Sequence, residues 1–146
     1  MSDIHRLKYA MYLNNDAYDA LKKMIDAMPD EIANDFYVKE AYTSFTDLQY
    51  SNPNLAGKDE RQLGHTVSIA SKSIAYQEFE TSALSQWLEA HSYEYGFILR
   101  YPKRMASSTN HVYDAHYYRY VGKKNANKIY KENSCIEEYN QKEAAE

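Results

Sequence analysis

Cysteine, proline and glycine are all scarce in this sequence. Among its 146 residues one is cysteine, three are proline and four are glycine. Because Cys135 has no second cysteine to pair with, we expect neither an internal disulfide nor a zinc site built on thiolates. The glycines are isolated along the chain, which excludes a glycine-rich phosphate-binding loop. Cys135 has no obvious histidine partner and lies beside Ile136, so we expect it to be buried by packing rather than reactive.

Long apolar runs are also missing. No stretch of 18 apolar residues occurs, so we expect no membrane span. The start of the chain, MSDIHRLKYAMYLNND, lacks the basic flank and apolar block of a secretory signal. We therefore expect a protein that stays inside the cell, or a piece of a longer chain. The length and the 44% hydrophobic content suit one globular domain over residues 1–146.

Tyrosine, in contrast, is abundant. The 16 tyrosines predict a core in which rings are buried while hydroxyl groups reach polar partners at its edge. The net charge of −4 gives no general attraction to nucleic acid or anionic lipid. A lysine-rich stretch, RYVGKKNANKIYK (119–131), makes nucleic-acid binding an alternative, but such runs are usually a solvated helix face. We therefore expect no nucleic-acid partner.

Hydrophobic spacing predicts an irregular alternation of helices and strands. A first helix is capped by Asp16, carries apolar residues at helical spacing and ends at Pro29. Further helices are predicted over 78–93, from 125 onward and near 134–141. Strands are predicted over 36–44, 66–70, 97–101 and 115–121, with a loop over 51–59 and a polar connection over 103–110. This order predicts an α+β domain, a small antiparallel sheet flanked by helices.

Three blocks in sequence order carry a family resemblance. They read YGFILRYP (95–102), DAHYYRYVG (114–122) and ANKIYKENSCIEEYN (126–140). Upstream, YVKEAYTSFTDLQ (37–49) and ERQLGHTVSI (60–69) stand where the family has two further blocks. Over residues 36–140 the chain resembles the zinc D-alanyl-D-alanine carboxypeptidases of the VanY type, which trim peptidoglycan stem peptides. The ordered series is far more specific than any single block, and it implies that family's fold.

The resemblance also implies where a zinc site would lie. A hydrolytic zinc needs three protein ligands and an open position for water. The family's ligands, His, Asp and His, correspond here to Arg61, Ser68 and Tyr117, none of which is a competent zinc ligand. The family's general base, a glutamate, corresponds to Asp114, and its oxyanion-stabilising arginine to Thr43. The resemblance therefore implies the scaffold of a peptidase without metal, cofactor or catalysis.

A metal-free binding cleft is expected in place of the zinc site. An acid left without its metal would lie unpaired in a cleft, so we expect Arg61 to pair with Asp114. The remaining cleft residues are expected to be Thr43, Gln49, His65, Ser68, Tyr113, His116 and Tyr117. The expected ligand is a peptidoglycan stem peptide or a protein partner. The compartments compatible with this reading are the cytoplasm, the spore interior or, for an excised domain, the cell wall.

The alternative is an active D,D-carboxypeptidase with a rebuilt zinc site. His65 and His116 each lie next to a position that corresponds to a ligand, and Asp114 could complete the set. A shift of one residue along a strand turns a side chain to the opposite face, so His116 would need a bulge to replace Tyr117. The other histidines (His5, His91 and His111) lack metal-ligand spacing and are expected on the surface or in loops.

Overall fold

The computed structural model describes residues 13, 15–40, 65–103 and 105–145 of the chain. Its helices are α1 (Asn15–Ala27), α2 (Asp30–Asp35), α3 (Ala83–His91), α4 (Ala106–Thr109), α5 (Lys123–Lys131) and α6 (Ile136–Ala145). Its strands are β1 (Phe36–Glu40), β2 (Thr66–Ser71), β3 (Phe97–Tyr101) and β4 (Asp114–Tyr120). Two 3₁₀ segments, Tyr76–Thr81 and Ser92–Tyr95, flank α3.

The strands form one antiparallel sheet in the order β1-β2-β4-β3. The central strands are therefore β2 and β4, and β1 and β3 are the edges among the described strands. The register places Ser68 of β2 opposite Tyr117 of β4, and Phe97 of β3 opposite Tyr120 of β4. The predicted α+β fold, with a small antiparallel sheet and flanking helices, is confirmed.

One face of the sheet forms the main core, because side chains alternate between the two faces of a strand. Its residues Val38, Val67, Ile69, Phe97 and Tyr118 are at most 2% exposed. They pack against apolar side chains of α1 and α3. Burial of this apolar surface supplies the main free energy of folding.

A second, smaller cluster lies on the opposite face. Ile98 of β3 packs there with Ala126 and Ile129 of α5 and with Ile136 of α6. Cys135, just before α6, is fully buried, as expected, and burial raises the pKa of its thiol. The sheet is thus covered by helices on both faces, and β3 lies between the two clusters.

Helix α1 confirms the first predicted helix and corrects its start. Ala17, Leu21, Met24 and Ile25 are buried at the predicted spacing. The helix begins at Asn15, so Asp16 lies in its first turn, where a carboxylate is favourable beside the positive end of the helix dipole. The chain then forms α2 directly after Pro29, a short helix that the spacing of apolar residues did not predict.

The helix predicted over 78–93 is wrong as one element. It is divided into the two 3₁₀ segments and α3, and Ser82 marks the first division. The Ser82 hydroxyl donates to the Phe79 carbonyl (2.6 Å) and accepts from the Ser85 backbone N–H (3.0 Å). One side chain therefore ends the 3₁₀ segment and caps α3, which is a typical role for serine at a helix N-terminus.

Gly96 separates the second 3₁₀ segment from β3. Its φ of 91° lies in the left-handed region, and a Cβ here would stand 2.7 Å from the Tyr120 ring. Only glycine combines this conformation with such a close approach. The break at this position is therefore dictated by sterics as well as by helix propensity.

Several boundaries also differ from the sequence-based expectations. The connection over 103–110 contains α4, and the last strand begins at Asp114 instead of residue 115. Of the strand predicted over 36–44, the described part is β1, and the loop predicted over 51–59 lies outside the described residues. Among the described helices none is long and apolar enough to cross a lipid bilayer.

Candidate functional site

Two polar side chains face each other across the centre of the sheet. Ser68 of β2 lies directly opposite Tyr117 of β4. Residues opposite each other in an antiparallel pair share a face and have Cβ atoms about 4.5–5.5 Å apart. The register therefore places on one face, side by side, the two strand positions that the family resemblance associates with zinc ligands.

The Ser68 hydroxyl is buried without a hydrogen-bond partner. Ser68 is 1% exposed, and its Oγ accepts or donates no hydrogen bond within the described part of the chain. Thr66, two residues earlier on the same face, is equally buried and its hydroxyl has no partner either. Burying an unpaired hydroxyl costs about 1–3 kcal/mol, so these two groups are expensive for the fold. Such groups call for an explanation beyond packing, although among the described residues the buried hydroxyls of Ser85 and Tyr118 lack a partner as well.

Asp114 begins β4, opposite Tyr101 of β3. Its carboxylate is partly exposed and accepts a hydrogen bond from the backbone N–H of His116 (2.9 Å). This local bond orients the acid at the strand end. A partly exposed carboxylate in such a position can accept a proton or pair with a cation.

His116 does not line the expected cleft, because its ring points to the core side of the sheet. It is 6% exposed and stacks on Tyr76 (centroids 3.7 Å apart) and Phe79 (4.4 Å). Its Nδ1 lies 2.7 Å from the Ile69 carbonyl oxygen and its Nε2 2.9 Å from that of Tyr76. Both nitrogens are thus engaged by the backbone. The alternation of faces along β4 explains this placement, since His116 and Tyr117 point in opposite directions.

An aromatic row lies beside Tyr117. The Tyr117 ring meets that of Tyr101 edge-on (5.9 Å), and Tyr101 stacks on His111 (3.9 Å). Sequence reasoning placed His111 on the surface or in a loop and did not assign Tyr101 to the site. The stacking of Tyr101 on His111 depends on the register shift that places Tyr101 opposite Asp114. No sequence pattern indicates this shift.

Tyr113 precedes β4 and is partly buried against the main core. The Lys103 ammonium lies 5.0 Å from the centre of its ring. Burial raises the pKa of the Tyr113 hydroxyl well above its usual range, with the nearby carboxylates Glu89 and Glu80 adding to the shift. Tyr113 is therefore neutral at physiological pH and can act as a hydrogen-bonding or stacking group.

His65 lies at the other end of the strand pair. Its carbonyl accepts from the Tyr120 backbone N–H (2.8 Å) just before β2 begins. Its side chain lines a cavity of about 380 Å³ under α5 and α6, together with residues such as Arg119, Asn125 and Tyr139. The structure therefore does not bring His65, Asp114 and His116 together. Within residues 15–40, 65–103 and 105–145, no three His, Cys, Asp or Glu side chains are arranged to hold a metal ion.

The remaining expected site residues lie outside the described residues. These are Arg61, Thr43 and Gln49. Their positions, and the pairing of Arg61 with Asp114, stay predictions.

Comparison with known proteins connects this geometry to a family. The model of the family described as VanY: D-alanyl-D-alanine carboxypeptidase matches residues 36–123. A D-alanyl-D-alanine carboxypeptidase of Enterococcus faecalis is 34% identical over 124 residues, which cover 84% of this chain and 44% of that protein. The chain spans about half the length of the curated relatives that it matches.

Solved structures agree with this match. The structure of the LdcB LD-carboxypeptidase, which reveals how that protein recognises peptidoglycan, matches this chain with a TM-score of 0.79 and 29% sequence identity. The match covers 88% of this chain and 68% of that one. VanYB in complex with D-alanine-D-alanine has a TM-score of 0.74 at 25% identity, covering 88% and 82%. Because the family model matches more than half of the chain and these solved structures share its fold, this chain belongs to the VanY family of D-alanyl-D-alanine carboxypeptidases.

Proposed function

We propose that this domain is a non-catalytic member of its family, which binds a cell-wall peptide or a protein partner instead of cleaving a peptide bond. One observation carries the proposal: Ser68 and Tyr117 face each other where the resemblance implies an aspartate and a histidine ligand. The direct pairing of these two positions across β2 and β4 supports the residue-by-residue correspondence on which the proposal depends.

The donor set at these positions does not fit zinc. Zinc sites in hydrolases use imidazole, carboxylate or thiolate ligands, and the metal activates a bound water molecule. A serine hydroxyl is a weak neutral donor, a tyrosine hydroxyl is un-ionised at neutral pH, and the third corresponding residue is the permanently charged Arg61. The unpartnered Ser68 hydroxyl agrees with a position whose usual ligand chemistry has been replaced.

Asp114 supplies the carboxylate of a general base, but in this proposal no metal activates a water molecule for it to deprotonate. A general base contributes to hydrolysis by taking a proton from an activated water molecule, so the carboxylate alone leaves most of the barrier in place. We expect it instead to form an ion pair with Arg61. A double-mutant cycle on Arg61→Ala and Asp114→Asn should then give a coupling energy of about 0.5 kcal/mol or more in unfolding experiments. Additive effects would show that the two side chains do not interact.

The chemistry of the cleft suits a peptide. The partly exposed rings of Tyr101 and Tyr117 offer apolar faces with hydroxyl groups at their tips, and Asp114 can receive an amino group. Tyr113, which was expected in the same cleft, packs against the main core instead. VanYB, which has a similar fold, was crystallised with D-alanine-D-alanine. A peptide of the peptidoglycan stem is therefore our first candidate ligand, and an extended protein segment is the second.

Metal content and turnover test the proposal together. The protein is incubated with Zn²⁺, desalted and analysed for bound metal, and D-alanine release from a stem pentapeptide is measured in parallel. We expect less than stoichiometric zinc and no release. The matched control is the triple variant Arg61→His, Ser68→Asp, Tyr117→His, which should bind zinc if the assigned positions are correct. Stoichiometric zinc in the unmodified protein, with turnover that is lost on Asp114→Ala, would overturn the proposal.

The rebuilt metal site is not supported by the placement of its members. His116 would have to give up both backbone carbonyl contacts and rotate from the core to the opposite face. The lysine-rich stretch is likewise occupied in part by structural contacts, since Lys128 of α5 forms an ion pair with Glu143 of α6. Neither alternative has an observation in its favour.

A further inference from the structure

A partly buried ion pair joins helix α6 to strand β3. The two terminal nitrogens of the Arg100 guanidinium, Nη1 and Nη2, each donate to one oxygen of the Glu137 carboxylate, the first of them at 3.0 Å. The two side chains are 11% and 27% exposed, so salt and water screen this pair less than a surface pair. Burial acts to raise the pKa of Glu137, but the hydrogen bonds from Arg100 outweigh it and hold the pKa below the ordinary value of 4.5. The pair is therefore ionised at neutral pH.

The geometry of this ion pair fixes a guanidinium group that lies over an aromatic ring. Two parallel N–H···O bonds leave a planar guanidinium little freedom to rotate. The central carbon of the Arg100 guanidinium lies 4.9 Å from the centre of the Tyr101 ring. A cation at this distance is attracted by the face of the ring. Glu137 therefore acts on the position of the Tyr101 ring through Arg100.

The backbone around Tyr101 is irregular, so the side-chain contacts matter more here than in the middle of the strand. The register between β3 and β4 shifts between Leu99 and Tyr101, and Arg100 is the residue between them. Irregularities of this kind interrupt the ladder and change the direction in which a side chain points. Tyr101 is also the last residue of β3, and Pro102 after it has no N–H group to donate. The orientation of the Tyr101 ring thus depends on what its neighbours hold in place.

The next acid of α6 holds the segment on the other side of the same ring. The Glu138 carboxylate accepts a hydrogen bond from the hydroxyl of Ser108 in α4 (2.8 Å) and one from that of Ser134 (3.3 Å). Helix α4 is followed closely by His111, whose ring stacks on Tyr101 (3.9 Å). Both acids lie in the first turn of α6, where negative charge is favourable. One turn of α6 is therefore bonded to both segments that carry the Tyr101–His111 stack.

An ion pair of this kind contributes little to stability, which leaves orientation as its main effect. Removing two charges from water is costly, and replacing a buried ion pair by apolar residues of similar size often leaves stability unchanged or raises it. The aromatic row that the pair holds runs from His111 through Tyr101 to the edge-on contact with Tyr117 (5.9 Å). The IEEYN segment (136–140), which the zinc-ligand positions leave without a role, is thereby connected to the candidate cleft.

We propose that Glu137 is a positioning residue of the candidate cleft: through Arg100 it holds the Tyr101 ring against Tyr117, on the side of the cleft that a bound peptide meets. The ligand in this statement rests on the proposed function, whereas the position of the Tyr101 ring can be measured without a ligand. Loss of the Glu137 charge releases the ring while the domain stays folded.

Glu137→Gln is the test variant, and Glu143→Gln is its matched control, because Glu143 also forms an ion pair from α6 but with Lys128 of α5. The proton NMR resonances of the His111 ring, recorded at one pH, report the stack, since the Tyr101 ring displaces them. We expect Glu137→Gln to move these resonances towards those of Tyr101→Leu, in which the stack is absent, and Glu143→Gln to leave them in place. The double variant Arg100→Met, Glu137→Leu should show the same displacement at an unchanged urea midpoint.

Binding of a stem pentapeptide, measured by calorimetry, tests the role in the cleft. Its affinity should fall about fivefold in Glu137→Gln and stay unchanged in Glu143→Gln, because a ring that is no longer held in place must be ordered when the peptide binds. If the unmodified protein binds no pentapeptide, the proposed function fails, and the His111 resonances alone decide whether Glu137 positions Tyr101.

Three results would overturn the proposal. Unchanged His111 resonances in Glu137→Gln or in the double variant would mean that packing, and not the ion pair, holds Tyr101. An equal displacement in Glu143→Gln would mean that the docking of α6 as a whole is responsible. A displaced stack with unchanged pentapeptide affinity would mean that Tyr101 has no part in binding.

Discussion

Two buried serines, Ser82 before α3 and Ser68 in the centre of the sheet, differ in how their hydroxyl groups are hydrogen-bonded. At the turn before α3, the hydroxyl of Ser82 both donates and accepts a hydrogen bond. In the centre of the sheet, the hydroxyl of Ser68 is buried to the same extent (both 1% exposed), yet it has no partner within the described residues. The first serine is explained by folding alone. The second is not, and it lies where the family resemblance implies a metal ligand.

This difference in hydrogen bonding distinguishes a serine that stabilises the scaffold from one that lies in the candidate site. A buried polar group that is fully satisfied stabilises the local structure, whereas an unsatisfied one reduces stability. Natural proteins accept the second kind mainly where function has chosen the residue. Substitutions in the two regions measure this difference in stability directly.

Replacing Phe79 by alanine should disrupt the region around Ser82 most strongly. Phe79 is 1% exposed, stacks on His116 and offers the carbonyl that Ser82 contacts. Removal of a buried aromatic ring should lower the free energy of unfolding by about 3–5 kcal/mol, measured by urea denaturation. Val112→Ala is the matched control, because Val112 is 72% exposed and should change stability by less than about 0.5 kcal/mol. A loss below about 1 kcal/mol for Phe79→Ala would show that the ring is not packed in the core.

Ser82→Ala should lower the free energy of unfolding by about 1–2 kcal/mol, since it removes the cap of α3 and leaves the Ser85 N–H without its acceptor. The measurement is chemical denaturation monitored by circular dichroism. Ser82→Asp should keep most of the stability, because aspartate is also a good N-cap residue. If alanine and aspartate behave alike, the capping interpretation is wrong.

The hydrogen bond between Ser71, the last residue of β2, and Asp35 should make the free energy of unfolding depend on pH. The Ser71 hydroxyl donates to Asp35 (2.5 Å), and the Ser73 backbone N–H donates to the same carboxylate (2.8 Å). Burial acts to raise the pKa of Asp35, but these hydrogen bonds outweigh it and hold the pKa below the ordinary value of 3.8. A carboxyl group whose pKa is lowered by folding stabilises the protein at pH values above its pKa in the unfolded state. That contribution is lost as the pH falls through its pKa in the folded state.

The unfolding free energy should therefore decline below about pH 4 more steeply in the unmodified protein than in Asp35→Asn. The difference between the two curves should be smaller than the effect of Ser82→Ala, because Asp35 is only partly buried. Parallel curves between pH 5 and pH 2.5 would show that Asp35 gains nothing from Ser71.

Ser68→Ala should have the smallest effect and the opposite sign to Ser82→Ala. Removing an unpaired buried hydroxyl should leave stability unchanged or raise it by up to about 1 kcal/mol. Thermal and urea unfolding of the two alanine variants, measured side by side, compare the regions directly. A loss of more than about 1 kcal/mol for Ser68→Ala would mean that Ser68 is part of the scaffold after all.

Much of the fold could be predicted from the residues. The apolar spacing of α1, the runs that form β2 and β3, and the break at Gly96 all depend on interactions within a few residues, so local patterns report them. The division of the 78–93 region could not be predicted, since a helical pattern continues through it. It is imposed by the two hydrogen bonds of Ser82 and by the packing of Phe79 in the core.

The site was predictable only as a set of corresponding positions. Ser68 and Tyr117 were identified from the order of the sequence blocks, and the register places them opposite each other across β2 and β4. Their assignment to a functional site stays a prediction. His65 and His116 were expected in the same cleft and lie apart, on different sides and at different ends of the sheet. No sequence pattern predicted the cavity of about 710 Å³ beside β3, because its walls are formed by segments that are distant along the chain.

The sequence by itself determined which chemistry is available: one thiol, many tyrosines, and a serine, a tyrosine and an arginine where the family resemblance implies zinc ligands. It also determined the family, through ordered blocks that need no coordinates to be recognised. The tertiary structure alone decided which face each side chain occupies, which hydroxyl groups find partners and how the described strands are paired. The physical reason is that alternation along a strand is local, whereas pairing, register and burial depend on residues brought together from distant parts of the chain.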